Sequence, residues 1–375
     1  MGVLGTPEWG ASLTEPSGRV IWQGGAESMT DWEFSRELCK MSEGKITLPS
    51  DPALAQRVEP WLHALTFYAG LEPVWHGIVT GVESSKGELV VEASDGAVFF
   101  KRRRLPSGRT WDQADAAQVM THVVTDGMGP SDPLNIVDHL HSLDSRIWVV
   151  VDEAANSVLV SDVVDDLTSA GLDWTFFAGS LLIGPVASRV TLPTLTDAHL
   201  GGEVRVRKEG KDVLTDVLVT GEGVWAQRAL EDDRIVLQSI EKGDKLVTVD
   251  ECETLASSIL QERGISPVTV EPGNGALMPS SPVGINELVP GVRVPISSSQ
   301  TGITVGALLM VEKVSVDSGD VKVTFGTPGP SWESREEFPP PATMDHQSPW
   351  VQEQASKNQQ AALQDEEATD PPVPM

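Results

Sequence analysis

Apolar residues fall along the chain in short runs, and turn residues separate the runs. Residues 58–105 show the pattern best. The run 62–67 ends at Ala69-Gly70, and Val74-Trp75-His76-Gly77-Ile78-Val79 ends at the turn 84–87. Then 89–93 follows, and Phe99-Phe100-Lys101-Arg102-Arg103-Arg104-Leu105 closes the stretch. Runs rich in Val, Ile, Trp and Phe between Gly, Ser and Asp turns predict a β-meander. A similar series recurs near the other end. Leu288-Val289-Pro290-Gly291-Val292 leads to Gly302, then 305–309, the turn Asp317-Ser318-Gly319-Asp320, and 321–325. Pro60 to Gly87 and Pro290 to Gly319 are nearly equal spacings. They predict a degenerate duplication: two small β-barrels of similar make.

Between and around these runs the period changes. Residues 1–20, rich in Gly, Pro, Ser and Thr, read as an arm with one short strand at 20–22. Residues 31–36 alternate as a half-buried strand does, 44–49 form a second strand, and 51–57 a short helical turn. Helical periodicity begins after 107. Thr110 or Asp112 caps a helix with Ala116, Val119, Met120 and Val123 on its apolar face and Gly127 past its end. Asp132-Pro133 opens a second helix carrying Leu134, Val137 and Leu140. Strands at 146–151 and 158–160, a helix at 163–170 and a hairpin at 173–183 complete an α/β insert. Strands return at 204–207, 216–220, 224–227, 235–238 and 246–249. A capping box at Asp250 and Glu253 then opens a helix carrying Leu255, Ile259 and Leu260 that stops at Gly264, before a strand at 268–270. The fold class expected is mixed β: two similar β-barrel domains joined by a small α/β domain, plus an extended C-terminal arm. The boundaries fall at 1–106, 107–200, 201–330 and 331–375.

Charge narrows the functions. The formal net charge is −28 at pH 7. That argues against gripping nucleic acid by bulk electrostatics and against docking on an anionic membrane. No apolar run approaches the roughly 20 residues that span a bilayer. Like charge suits a wall past which a polyanion slides without sticking, although solubility alone also accounts for the acidity. Cys39 and Cys252 are the only cysteines, which excludes a disulfide framework. Residues 1–18 lack a charged segment followed by an apolar one, so the expected site of synthesis and folding is a cytosol. Residues 331–375 hold nine acidic residues, two basic ones and seven prolines. Such a segment buries too little apolar area to offset ordering costs of about 1–2 kcal/mol per residue. Its isolated aromatic residues Trp332, Phe338 and Trp350 are therefore expected to anchor the arm on a partner.

Catalytic patterns are missing. There is no His-Glu-x-x-His, no Cys-x-x-Cys and no Gly-x-Ser-x-Gly. His139 and His141 lie two apart on the expected second helix and point to different sides. Asp162, Asp165, Asp166 and Asp173 lack the spacing of a calcium loop and read as a solvated face. Gly221-Glu222-Gly223 reads as a hairpin turn. Trp61, Trp75, Trp111, Trp148 and Trp174 could form a sugar platform, but most lie in apolar runs where core packing is the commoner fate. No cofactor is expected. The one basic run, 101–104, sits at an expected strand end. Arg102, Arg103 and Arg104 there are candidate contacts to the acidic surface of a neighbouring subunit, favoured over nucleic acid.

Several of these residues carry a resemblance. Trp61, Leu65, Val74-Trp75, Gly77, Val79-Thr80, Val82, 91–95, the run 102–106 and the stretch 288–294 resemble the baseplate hub, or minor tail, proteins of long-tailed phages of actinobacteria. That family shares its fold with the hub of contractile-tailed phages. The resemblance implies a structural, non-enzymatic protein at the tail tip of a virion, assembled in the host cytoplasm as a homotrimer of two-barrel subunits in a pseudo-sixfold ring. It implies as partners the distal tail protein hexamer, the central fibre or other minor tail proteins, and the tape measure protein in the lumen. The alternatives are a tail-tip lysin and a carbohydrate-binding module for the host wall.

Overall fold

Strands form where apolar and polar positions alternate. The computed structural model describes residues 3–129, 132–201, 204–230, 235–243, 246–264, 268–272, 276–299, 301, 303–326, 328 and 335. The chain opens with β1 (Trp9–Thr14), β2 (Val20–Gly25), β3 (Asp31–Glu37), β4 (Glu43–Pro49), a one-turn helix α1 (Pro52–Ala55), β5 (Ala64–Ala69), β6 (Glu72–Ser84) and β7 (Glu88–Ser94). A 3₁₀ helix (Gly96–Arg102) leads into β8 (Arg109–Asp115), α2 (Ala116–Met128), β9 (Leu140–Ser142), β10 (Trp148–Glu153), α3 (Val160–Ser169), β11 (Trp174–Phe177) and β12 (Ser180–Ile183). Then come β13 (Leu195–Thr196), β14 (Val204–Lys208), β15 (Asp216–Thr220), β16 (Trp225–Ala229), β17 (Gln238–Lys242), α4 (Val249–Arg263) and β18 (Val268–Pro272). The last three strands are β19 (Arg293–Ser298), β20 (Ile303–Asp317) and β21 (Asp320–Gly326).

Among the described residues one 13-stranded sheet organises the chain, in the order β14-β18-β21-β20-β3-β4-β7-β6-β5-β1-β2, with β19 also on β20 and β13 on β19. The duplication read from the sequence is in its backbone. Both β5-β6-β7 and β19-β20-β21 are antiparallel meanders around one long middle strand. Within each meander one residue of the middle strand pairs with both outer strands: Ile78 with Ala64 and Ser94, Met310 with Arg293 and Gly326. The register then slips, between Val79 and Gly81 in one and between Val311 and Lys313 in the other, as at a β-bulge. Each meander is entered through a residue of positive φ that follows a proline. The Trp61 amide (φ 65°) donates to the Val79 carbonyl at 2.7 Å, and the Gly291 amide (φ 97°) to the Val311 carbonyl at 2.8 Å. The outer strand of each meander pairs with β4 or β18, and that strand with β3 or β14.

The halves share one core. Leu13, Phe67 and Val79 from the first half and Val294, Val311 and Phe325 from the second are buried in one apolar cluster. Burying each such side chain is worth about 1.5–3 kcal/mol. Trp9, Trp32, Phe67 and Trp75 form a chain of ring contacts with centroids 5.1, 5.9 and 5.8 Å apart. A second cluster joins α2, α3, β11 and β12 to Phe99 and Phe100. A third lies under α4, where Cys252, Ala256 and Leu260 cover Val217 and Val219 of the small sheet β16-β15-β17.

The fold is mixed β, as expected, with few helices. The barrels are not closed: among the described residues the sheet is an open path from β14 to β2, because β3 of the first half pairs with β20 of the second. The N-terminal arm is instead part of the sheet, since β1 lies between β2 and β5. The run 99–105 is not a strand. The Asp95 carboxylate takes the Ala97 amide at 3.0 Å and starts the 3₁₀ helix. The helix expected after Asp132 is a turn, because Asp132 holds the Leu134 and Val137 amides and Asn135 adopts φ 54°. Asp115, not Thr110 or Asp112, caps α2, and Gly129 ends it. The run 158–160 contributes only an isolated bridge, Leu159 to Arg104, before α3 begins. The strand expected at 235–238 lies at β17, shifted along the chain. No strand forms at 246–249; α4 starts at Val249, which puts Asp250 inside its first turn rather than at a cap.

Candidate assembly surfaces

The basic run sits on the end of the 3₁₀ helix. Asp95 fixes that helix by accepting the Ala97 amide and, through its other oxygen, the Ser42 amide at 3.0 Å. Full burial pushes the Asp95 carboxyl up to about 7. Phe99 and Phe100 point into the insert, which leaves Lys101, Arg102 and Arg104 exposed and Arg103 half-buried. The Arg102 guanidinium lies 5.5 Å over the Trp61 ring, and that ring meets Phe99 edge-on at 6.1 Å. Trp61 is 43 % exposed, ahead of its apolar run rather than in the core. Together Trp61 and Arg102 make an exposed aromatic-cation pair of the kind enriched at interfaces. The Arg103 carbonyl accepts the Val160 amide at 2.9 Å, so this residue helps start α3. Trp332, Phe338 and Trp350 lie outside the described residues. Arg335, beside them in sequence, donates to the Ser145 carbonyl at 3.0 Å.

Sequence reasoning missed Arg36. It points inward from β3 and is fully buried. Its Nη1 donates to the carbonyls of Ile285 at 3.2 Å and Leu288 at 3.1 Å, and its guanidinium lies over the rings of Phe177 at 5.1 Å and Phe34 at 5.7 Å. Burial pushes the guanidinium down to about 9. Arg36 thus ties a strand of the first half to the segment entering the second and to the insert hairpin. The alternation of 31–36 contained the signal, since it puts Arg36 on the same inward face as Trp32 and Phe34.

The junction of the halves leaves two strand edges open. β3 lies along β20 antiparallel, with Ser35 opposite Ser315 and Glu37 opposite Lys313, and Glu37 and Lys313 form an ion pair. The matching edge of β6, over residues 80–84, meets no strand among the described residues. Neither does the outer edge of β14. Exposed edges present a row of unpaired backbone donors and acceptors. Glu83 and Glu92 are exposed on the β6–β7 ribbon, and Arg205 and Arg207 on β14. The outer face of the joined sheet is a polar groove that includes Glu33, Lys45, Glu92, Lys313, Asp317 and Lys322.

Among the described residues, no three His, Cys, Asp or Glu side chains come together in a group that could hold a metal ion. His141 lies on β9 and His139 in the turn before it, rather than on a helix. Asp162 accepts the Leu159 amide at 2.9 Å at the start of α3, while Asp165 and Asp166 stay exposed. Gly223, with φ 75°, lies in the β15–β16 hairpin turn as expected.

No family model matches the chain, and no curated protein does. Solved structures do, and the class they define is the fold of phage tail proteins. The 43 kDa tail protein of prophage MuSo2 from Shewanella oneidensis matches at 14 % identity over 85 % of this chain and 97 % of its own, with a TM-score of 0.58. A tail protein from Neisseria meningitidis MC58 matches at 12 % identity over 87 % and 98 %, with a TM-score of 0.57. A VgrG complex with PdpA from Francisella matches at 9 % identity over 88 % of this chain and 55 % of that one, with a TM-score of 0.52. At these identities the likeness is one of fold.

Proposed function

We propose that this chain is a structural protein of a phage tail, the baseplate hub at its tip, and that it acts as a homotrimer. The observation that carries the reading is the duplicated meander. One chain holds the same strand path twice, side by side in one sheet. Three such chains present six near-equivalent units to a hexameric distal tail ring and keep threefold symmetry for a central fibre or other minor tail proteins. Each meander with its flanking strands serves as one barrel-like lobe, and the divisions at 106, 200 and 330 separate lobes, insert and arm. The fold shared with phage tail proteins supports the tail role. The net charge of −28 suits a lumen that passes the tape measure protein and DNA without holding them. Function then lies in interfaces rather than in a catalytic pocket. Arg102 with Trp61, Arg103, Arg104 and the arm anchors Trp332, Phe338 and Trp350 are the contacts we assign to neighbouring subunits and minor tail proteins. Sedimentation of the purified chain tests the reading: a trimer is expected, and a monomer at every concentration contradicts it. Loss of host cell wall in a zymogram would favour a tail-tip lysin instead.

A further inference from the structure

We propose that the open face of the small sheet β16-β15-β17 binds a neutral glycan, with Trp225 as the ring on which a sugar stacks and Gln227 and Gln238, both held by Asp216, as partners for its hydroxyls. The site goes beyond the tail role and is independent of the trimer. α4 covers one face of this sheet, over Val217, Val219 and Ala226. Strand alternation turns Asp216, Leu218, Trp225, Gln227, Gln238 and Ile240 to the other. Pairing sets Leu218 between Gln227 and Ile240, and Asp216 beside Gln238. Trp225 is 63 % exposed and Ile240 67 %, and both glutamines are exposed.

The polar part of this face is a fixed network. Gln227 Nε2 donates to Asp216 Oδ1 at 2.8 Å and to Oδ2 at 2.9 Å, and Gln238 Nε2 donates to Oδ2 at 2.8 Å. Asp216 is buried, and the bonds from Gln238 and Gln227 hold its carboxyl below the ordinary carboxylate range. A carboxylate only accepts, so each amide turns its nitrogen to Asp216 and its carbonyl oxygen away from it. Exposed glutamines ordinarily sample many rotamers, and pinning two of them spends side-chain entropy in advance of binding. The result is a pair of preset hydroxyl acceptors. Trp225 and Gln227 are two residues apart on one strand face, about 7 Å. A pyranose matches that arrangement, with an apolar C–H face for the indole and a rim of hydroxyls for the amides. An apolar protein surface laid here would leave both amide oxygens unpaired, a cost that a hydroxylated ligand avoids. Charge selects among glycans. An ionised Asp216 in a chain of net charge −28 repels acidic polysaccharides and favours neutral ones.

The test is titration calorimetry of the full-length protein with chitotetraose, cellotetraose and mannotetraose. At least one should bind. Trp225→Ala should weaken that binding at least tenfold with an unchanged melting curve, and Gln227→Ala and Gln238→Ala should each weaken it severalfold. Equal affinity in Trp225→Ala, or no binding of any of the three at millimolar concentration, overturns the site. Sedimentation identifies the other occupant: a Trp225→Ala protein that loses its trimer makes this face a contact between copies, which also overturns the glycan platform. A trimer that binds no sugar leaves the hub reading standing, and a monomer that binds one leaves the glycan site standing.

Discussion

The two meanders follow one backbone path with different side chains at its most demanding point. At the residue after the proline, both halves adopt positive φ and send an amide to the middle strand. The second half meets that geometry with Gly291, which is buried. The first meets it with Trp61, which pays for an uncommon backbone by standing outward under Arg102. The neighbouring strands differ as well. β4 pairs with β7 over its whole length, from Glu43 to Pro49, whereas β18 touches β21 through one described pair, Val270 and Phe325. The lesson is that the hydrogen-bond path is the conserved quantity within this molecule, and that side chains have been refitted around it half by half.

The largest expected effect breaks the link between the halves. Arg36→Ala leaves a cavity in the core and strips the Ile285 and Leu288 carbonyls of their donor. Stability should fall by about 3–5 kcal/mol, read as a lower denaturant midpoint, because cavity and unsatisfied polar groups add. An unchanged midpoint would mean that β3 does not tie the halves together. Swapping the turn residues comes next. In Gly291→Trp the new Cβ lies 3.0 Å from the Ala187 Cβ, at φ 97° in a buried position. Overpacking of this kind costs about 1–3 kcal/mol, before the backbone strain. The reverse swap, Trp61→Gly, should cost less than about 1 kcal/mol, since exposed sites tolerate change and glycine suits φ 65°. Equal losses in the two melting curves would erase the contrast.

A pH series sharpens it further. Burial raises Asp95 from an ordinary 3.8 to about 7, so the folded state holds a proton that the unfolded state has released. Its contribution is complete below pH 4 and is lost as pH rises through 7. Asp95→Asn should flatten that decline, as followed by denaturant midpoints between pH 4 and 7. A slope identical to that of the parent would place its source elsewhere. Deleting residues 331–375 is expected to act on assembly more than on stability. The deletion removes the Arg335 hydrogen bond to Ser145 and should cost no more than about 1–2 kcal/mol, while assembly into tail tips drops.

Much of this was legible in the sequence. Alternation located β3, one face of which meets the core, while short apolar runs between turn residues located β4 and both meanders; β5 is buried on both faces over residues 64–67, so no alternation marks it. The proline spacing exposed the duplication, since a fixed turn geometry leaves a fixed residue signature. What alternation could not convey was partnership. A strand run says which face is buried and nothing about which strand lies beside it, so the pairing of β3 with β20, and with it the open sheet in place of two closed barrels, had no local signal. The 3₁₀ helix was hidden because Ala97-Val98-Phe99-Phe100 is apolar without a period. Its signal was the capping Asp95 ahead of a glycine. An apolar run predicts core packing for most of the tryptophans, but Trp61 follows a proline ahead of its run and stands exposed. Of the candidate contacts, the structure brings Arg102 to Trp61 and gives Arg103 and Arg104 to the start of α3. The tail anchors lie beyond the described residues.

The measurement that reaches the central claim most directly is a class average of the particle viewed down its long axis. The account predicts three copies of the chain, six similar lobes around the lumen, and insert domains that repeat only three times. A ring with two, four or six copies of the chain, or three copies without the alternation of like lobes, would contradict it.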